Sequence, residues 1–183
     1  MNKTAKSIVV LTVISLVVAV ALAGVNAFTA PMIEAAEKEA TRQALAEVYP
    51  SEANFEQLDI SKYSSLPTTV TEAYSFEDGG YVVKVSTSGF NAGLVVICGI
   101  DAEGKITGAK CLASGETESI TGKREYTYGE SFVGVSGSAI DGVNAISGAT
   151  YTSNGYKKAL KDAVAATEIF GAAEPEAKEG GVA

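Results

Sequence analysis

The chain contains no histidine and no tryptophan, and only two cysteines among 183 residues. Without histidine, Ser-His-Asp and Cys-His catalysis, imidazole proton relays and nearly every common zinc or haem ligand set are excluded. Cys98 and Cys111 stand thirteen positions apart and match neither a CxxC redox pair nor a zinc half-site. Chemistry must therefore come from hydroxyls, carboxylates, lysines or a bound cofactor, and no metal site or catalytic side chain is expected. Basic residues are also few: 14 Lys and Arg against 22 Asp and Glu give a formal net charge of -8, which argues against nucleic acid as a partner.

Charge of either sign is missing from Ser7 to Val25 (SIVVLTVISLVVAVALAGV). As a helix this run reaches roughly 28 Å, about the hydrocarbon thickness of a bilayer, and it predicts a transmembrane anchor in membrane lipid. A cleaved signal peptide is the competing reading, because Ala21-Leu22-Ala23 forms an A-x-A site; the length of the run favours retention. Lys3 and Lys6 precede the run and every acidic residue follows it, so the N-terminus is expected in the cytoplasm and the remainder outside the cell membrane.

The chain is long enough for one compact domain with an appended segment. Boundaries fall at 1–30 for the cytoplasmic N-terminus and anchor, 31–67 for a helix and connection, 68–170 for the main domain, and 171–183 for a flexible tail. Ile33, Ala36, Ala40, Ala44, Leu45 and Val48 recur at helical spacing and predict an amphipathic helix ending near Pro50. Residues 51–67 read as an irregular connection. Tyr81–Thr87, Leu94–Ile100 and Lys105–Leu112 predict short strands, the last two joined by Asp101-Ala102-Glu103-Gly104 as a hairpin pairing Ile100 with Lys105 and Cys98 with Thr107. That register leaves Cys111 out of disulfide reach of Cys98. Gly115–Gly142 reads as long loops with at most a short element. Thr152 or Ser153 is a candidate cap for a helix through Tyr156, Leu160, Val164 and Ile169. The fold class is therefore α+β: a transmembrane helix, then a twisted antiparallel sheet with flanking helices.

Between the loops and that helix stands Asn144-Ala-Ile-Ser-Gly-Ala-Thr-Tyr-Thr-Ser153. Gly148 permits a tight turn and close backbone approach, and Ser147, Thr150, Thr152 and Ser153 offer hydroxyls. The helix that follows points free N–H groups and its positive dipole end at the same place, which suits a phosphate. A simple turn with an N-cap explains the same residues.

The run Ser147-Gly148-Ala149-Thr150, followed by Tyr151 and Thr152, resembles the flavinylation motif of the membrane-anchored G subunit of the Rnf ion-translocating electron-transport complex, a relative of the C subunit of the sodium-pumping NADH:quinone reductase. Asn26–Ile33, Val48-Tyr49-Pro50, Gly89–Leu94 and Gly99–Gly108 resemble other segments of that family, so the likeness covers most of the chain. The resemblance implies an FMN-binding domain with FMN covalently bonded through phosphate to Thr150 by a separate flavin transferase. It also implies partnership with integral-membrane and iron-sulfur subunits of a ferredoxin:NAD oxidoreductase. Ser147, Gly148, Ala149 and Thr152 would surround the phosphate, and Glu116 and Thr117, the remnant of a family ETPGLG loop, would neighbour the flavin.

Rival readings rest on particular residues. Asn144 stands where the family usually has Asp, and it favours a flavin-free, membrane-tethered binding or assembly module. Gly115–Arg124 (GETESITGKR) mimics a phosphate loop, but its glycines are too far apart and Arg124 follows Lys123 where Ser or Thr is required. The carboxylates of Glu116 and Glu118 have no fixed separation that would suit a glycosidase.

Overall fold

The computed structural model describes residues 3–178, and the chain divides into two compact units, Met1–Thr41 and Arg42–Ala183. The described residues of the first unit all lie within helix α1 (Lys3–Val48). The sequence predicts a span and a separate amphipathic helix; they are instead one continuous helix, which passes through Pro31. Pro31 has no N–H to offer the carbonyl one turn earlier. Hydroxyls along α1 stay within the helix: Thr29 donates to the Val25 carbonyl at 3.0 Å and, far from the proline, Thr12 to that of Ile8 at 2.9 Å. Such bonds satisfy a hydroxyl where no water is available. The large apolar side chains from Ile8 to Val25 are exposed, and α1 is long and apolar enough to cross a membrane.

The second unit is built on a five-stranded antiparallel meander, β1 (Phe55–Gln57), β2 (Val70–Phe76), β3 (Tyr81–Ser88), β4 (Ala92–Ile100) and β5 (Ile106–Ala113), in sequential order. Both faces are covered. On one, Val83, Val85, Val96, Cys98, Ile100 and Ile106 pack in a core with Tyr156, Ala159, Leu160, Ala163, Ala166 and Phe170 of helix α3 (Thr150–Lys178). On the other, Val82, Ile97 and Phe76 pack with Ala44, Leu45, Val48 and Tyr49 at the end of α1. Double coverage explains why Val82-Val83 and Ile97-Cys98 are buried as consecutive pairs rather than alternating.

Four regions differ from the sequence reading, the first being β2, which is not among the strands it predicts. Residues 51–67 are not wholly irregular, because they contain β1 and a 3₁₀ turn at Ile60–Lys62. β1 is a three-residue edge strand with every side chain exposed, so it leaves no alternation to read. Gly115–Gly142 holds one helical turn, α2 (Glu118–Thr121), and 3₁₀ turns at Arg124–Tyr126, Tyr128–Phe132 and Gly137–Gly142. Helix α3 also continues past Gly171 to Lys178, and the rest of the expected tail, 179–183, lies outside the described residues.

The β4–β5 hairpin has a different register from the one expected. Asp101 Oδ1 accepts the N–H groups of Glu103 and Lys105, closing the turn between residues 101 and 105. Ile100 then pairs with Ile106, but Gly99 pairs with Gly108, leaving Thr107 as a bulge. The bulge has a use: the Thr107 hydroxyl donates to the Val48 carbonyl at 2.6 Å, satisfying an acceptor at the end of α1. Beside it the paired glycines let the helix end touch the sheet. A Cβ at Gly99 would stand 2.4 Å from the Val48 oxygen, and one at Gly108 2.7 Å from the Val48 Cα.

In the observed register Cys98 pairs with Ala109, and Cys111 with Val96. Both cysteines are free and buried in the α3-side core. Burial pushes both thiols upward, Cys111 to about 12, with the Glu125 charge adding to the effect there. A thiol that is both inaccessible and protonated is inert.

This packing can be tested at the glycine contact and at the thiols. Gly99→Ala should destabilise the domain by about 1–3 kcal/mol, because the helix end must move or the strand distort; an unchanged thermal midpoint would contradict the close approach. A maleimide at neutral pH should label neither cysteine in the native protein and both after denaturation, as read by intact mass. Rapid native labelling of either would contradict the buried placement.

Candidate functional site

Helix α3 begins at the motif. Ile146 and Ala149 are buried, whereas Ser147, Gly148 and Thr150 are exposed, so the loop is anchored at both ends and bows outward between them. Gly148 takes φ +79°, the left-handed region glycine favours, and a Cβ there would meet open space. The buried Ser153 hydroxyl holds the loop in this shape: it accepts the Ile146 N–H at 2.8 Å and donates to the Ala149 carbonyl at 2.9 Å. The first helical bond runs from the Ser153 N–H to the Ala149 carbonyl at 3.0 Å.

This geometry replaces the expected cap. Ala149 occupies the cap position, and its methyl group cannot accept the N–H groups of the first turn. Ser153 lies inside the helix, and the buried Thr152 hydroxyl donates to Glu116 Oε2 at 2.6 Å. Exposed Thr150 therefore sits at a helix N-terminus whose backbone donors have no side-chain cap among the described residues, where the dipole favours an anion.

Glu116 joins three pieces of chain. Besides Thr152, its carboxylate accepts the N–H groups of Phe90 at 3.3 Å and Asn91 at 3.1 Å, from the β3–β4 turn. The Asn91 amide donates in turn to the Gly115 carbonyl at 3.0 Å and to the Thr117 hydroxyl at 3.4 Å. The turn lies hard against the helix. A Cβ at Gly89 would fall 2.8 Å from the Thr152 Cα, and one at Gly155 would fall 2.5 Å from the Ser88 oxygen. Of the residues read from the sequence, Ser147, Gly148, Ala149, Thr150 and Thr152 thus form one continuous corner with Glu116 beside it, and Thr117 is tied on through Asn91.

The preceding segment is held from below and from the side. Arg124 donates from Nε to the Thr121 carbonyl at 2.8 Å and from Nη2 to the Ser147 carbonyl at 2.9 Å. Lys123 before it takes φ +61°, a strained conformation for a lysine. Tyr128, packed edge-on against Phe132 and Tyr156, donates its hydroxyl to the Asn144 carbonyl at 2.9 Å. Asp141 pairs with Lys161, whose hydrogen bond and charge hold its carboxyl below the usual range. Lys157, nearly buried, donates to the carbonyls of Asp141 and Val143.

Sequence reasoning missed Arg124, Glu116 as a latch, and the exposed rings of Phe90 and Tyr151. Only the latter pair left a trace in the sequence, as aromatics in otherwise polar turns.

A sheet backed by α3, with an anion-ready helix start beside a glycine turn, suits a phosphate-bearing cofactor. Residues 89–165 match the FMN-binding domain family, from the β3–β4 turn into α3. Over 169 aligned residues the chain is 35% identical to the G subunit of the Na(+)-translocating ferredoxin:NAD(+) oxidoreductase complex of Acetobacterium woodii, with 79% of this chain and 82% of that protein covered. The chain belongs to the family of Rnf-complex G subunits. This kinship and the apolar helix α1 together support membrane anchoring.

The residues present fit FMN. An uncapped helix start and an open glycine turn can take its phosphate, and a solvent-accessible threonine hydroxyl can be esterified.

If the Glu116 carboxylate latches the turn to the helix, Glu116→Ala should lower stability by about 2 kcal/mol, since three bonds to a charged acceptor are lost. Amide exchange should accelerate at Phe90 and Asn91 while the centre of β4 stays protected. Unchanged exchange at both amides would refute the latch.

Proposed function

We propose that this chain carries FMN as a phosphoester of Thr150 and serves as an electron-carrying subunit of a membrane ferredoxin:NAD oxidoreductase complex. The observation that carries the reading is the exposed Thr150 hydroxyl at the uncapped start of α3, inside Ser147-Gly148-Ala149-Thr150. FMN, once bound, supplies the redox chemistry.

The chain's own residues position and retain the cofactor. The N–H groups at the start of α3 and its dipole hold the phosphate. Ser153 and Arg124 keep the turn in the shape that presents Thr150, and Glu116 holds the neighbouring turn against it. A covalent link prevents loss of the cofactor outside the cytoplasm, where free FMN would be diluted away. Lys3 and Lys6 ahead of the span and the acidic residues beyond it favour a cytoplasmic N-terminus and an extracytoplasmic flavin domain. A flavin transferase installs the cofactor, and integral-membrane and iron-sulfur subunits of the complex exchange electrons with it.

Coexpressed with the transferase, the chain should fluoresce as a flavin in a denaturing gel and gain the mass of one FMN less one water, mapped to the Thr150 peptide. Thr150→Ala should abolish both signals without unfolding, because the helix start keeps its backbone. Thr152→Ala should retain covalent flavin at reduced yield, since its hydroxyl serves Glu116. Covalent flavin surviving in Thr150→Ala would rule out the site, and a wild-type chain that stays flavin-free beside an active transferase would favour a plain assembly module.

A further inference from the structure

Arg124 is an exposed cation in an acidic chain, and its partners are neutral. Nε donates to the Thr121 carbonyl and Nη2 to the Ser147 carbonyl, and the side chain makes no ion pair among the described residues. A guanidinium carries five N–H donors in a planar fork. Nε–H and one hydrogen of Nη2 lie along the edge that faces the two carbonyls. The opposite edge, formed by Nη1 and the second hydrogen of Nη2, has no partner among the described residues. Parallel N–H groups on such an edge match two oxygens of one phosphate.

The backbone brings this side chain to the motif. Gly122 and Lys123 take φ +60° and +61° in succession, a region that glycine tolerates and lysine resists. The chain then folds Arg124 back over Thr121, with its head on Ser147, three residues before Thr150.

The charge balance at the start of α3 calls for a cation. A phosphodiester carries one negative charge, and the helix end offers roughly half a positive charge. Glu116, bonded to the Thr152 hydroxyl at 2.6 Å, sets a second negative charge on the same helical turn. The dipole alone therefore leaves the corner net negative once a phosphate is attached. Lys123 is paired with Glu118 at 3.2 Å, and nearly buried Lys157 is bonded to the carbonyls of Asp141 and Val143. Arg124 has both charge and donors free, and its bond to the neutral Ser147 carbonyl does not by itself require a cation.

We propose that Arg124 binds the phosphate of FMN through the free edge of its guanidinium and offsets the negative charge that Glu116 places beside it. The inference rests on the phosphoester at Thr150. One head group then joins loop and cofactor, holding the Ser147 carbonyl on one edge and the phosphate on the other.

The test uses the full-length chain in detergent, expressed with and without the transferase, with loading counted by intact mass. Arg42 and Arg124 are the two arginines of the chain and both are exposed, so arginine labelling carries its own control. Phenylglyoxal should modify Arg124 in the unloaded chain and react about tenfold more slowly there in the loaded chain, as peptide masses report. Arg42 should react equally in both. A thermal comparison separates charge from mere cover. Flavinylation should raise the unfolding midpoint of the wild-type chain by about 2–4 °C more than that of Arg124→Gln, which keeps a donor for Ser147 but loses the charge. The difference should shrink as salt is raised, and Arg124→Lys should recover part of it. The bond to Ser147 is present with and without flavin, so it cancels. Equal midpoint shifts in wild type and Arg124→Gln, or equal Arg124 labelling with and without FMN, would overturn the proposal and leave the Thr150 attachment standing. If Arg124→Gln does not load, the wild-type labelling decides: protection that weakens at high salt supports the ion pair, and protection indifferent to salt overturns it. A wild-type chain without covalent FMN overturns the attachment and this inference together, and the mass distinguishes that failure from the first.

Discussion

The site depends on how closely the start of α3 lies on the end of β3. Gly155 on the helix and Gly89 after the strand remove the side chains that would hold them apart. Ala159, Ala163 and Ala166 continue the close approach along the sheet, while Tyr156, Leu160 and Phe170 fill the space on either side. Burial of this face, worth about 25 cal/mol per Å² of apolar area, provides the force that holds the helix down. Once it is down, its N-terminus has one place to be, against the β3–β4 turn.

That placement turns a common local element into a specific one. A helix start after Ser-Gly-Ala-Thr would bind anions weakly anywhere. Here the turn before it is held by Ser153, Arg124 and Tyr128, and the turn beside it by Glu116. The groups that hold the corner point inward, leaving the Thr150 hydroxyl and the Gly148 turn outward. The opposite face of the sheet is occupied by the end of α1, admitted by Gly99 and Gly108 and fastened by Thr107.

Much of this architecture was legible in the chain before folding was considered. The charge-free run from Ser7 to Val25, the β-rich runs of the central hairpin and the helical spacing from Tyr156 to Ile169 each carry their own periodicity. The Ser147–Thr150 motif is local in sequence and local in space, so reading it along the chain lost nothing. The β4–β5 register went astray because Asp101 places its turn bonds to favour a bulge, and a bulge is invisible to a count of residues. β1 escaped notice because an exposed edge strand has no buried face to leave a pattern.

By itself, then, the sequence determined the strands β3 to β5, the two long helices, the apolar anchor and the threonine of the motif, because each follows from composition or spacing within a short window. Tertiary structure alone decided that Thr152 would serve Glu116 instead of capping its helix, and that Phe90, far ahead of the motif in sequence, would meet Tyr151. Contacts across such distances depend on strand register and on where glycine lets backbones touch. Those are properties of packing in three dimensions, which no single stretch of chain contains.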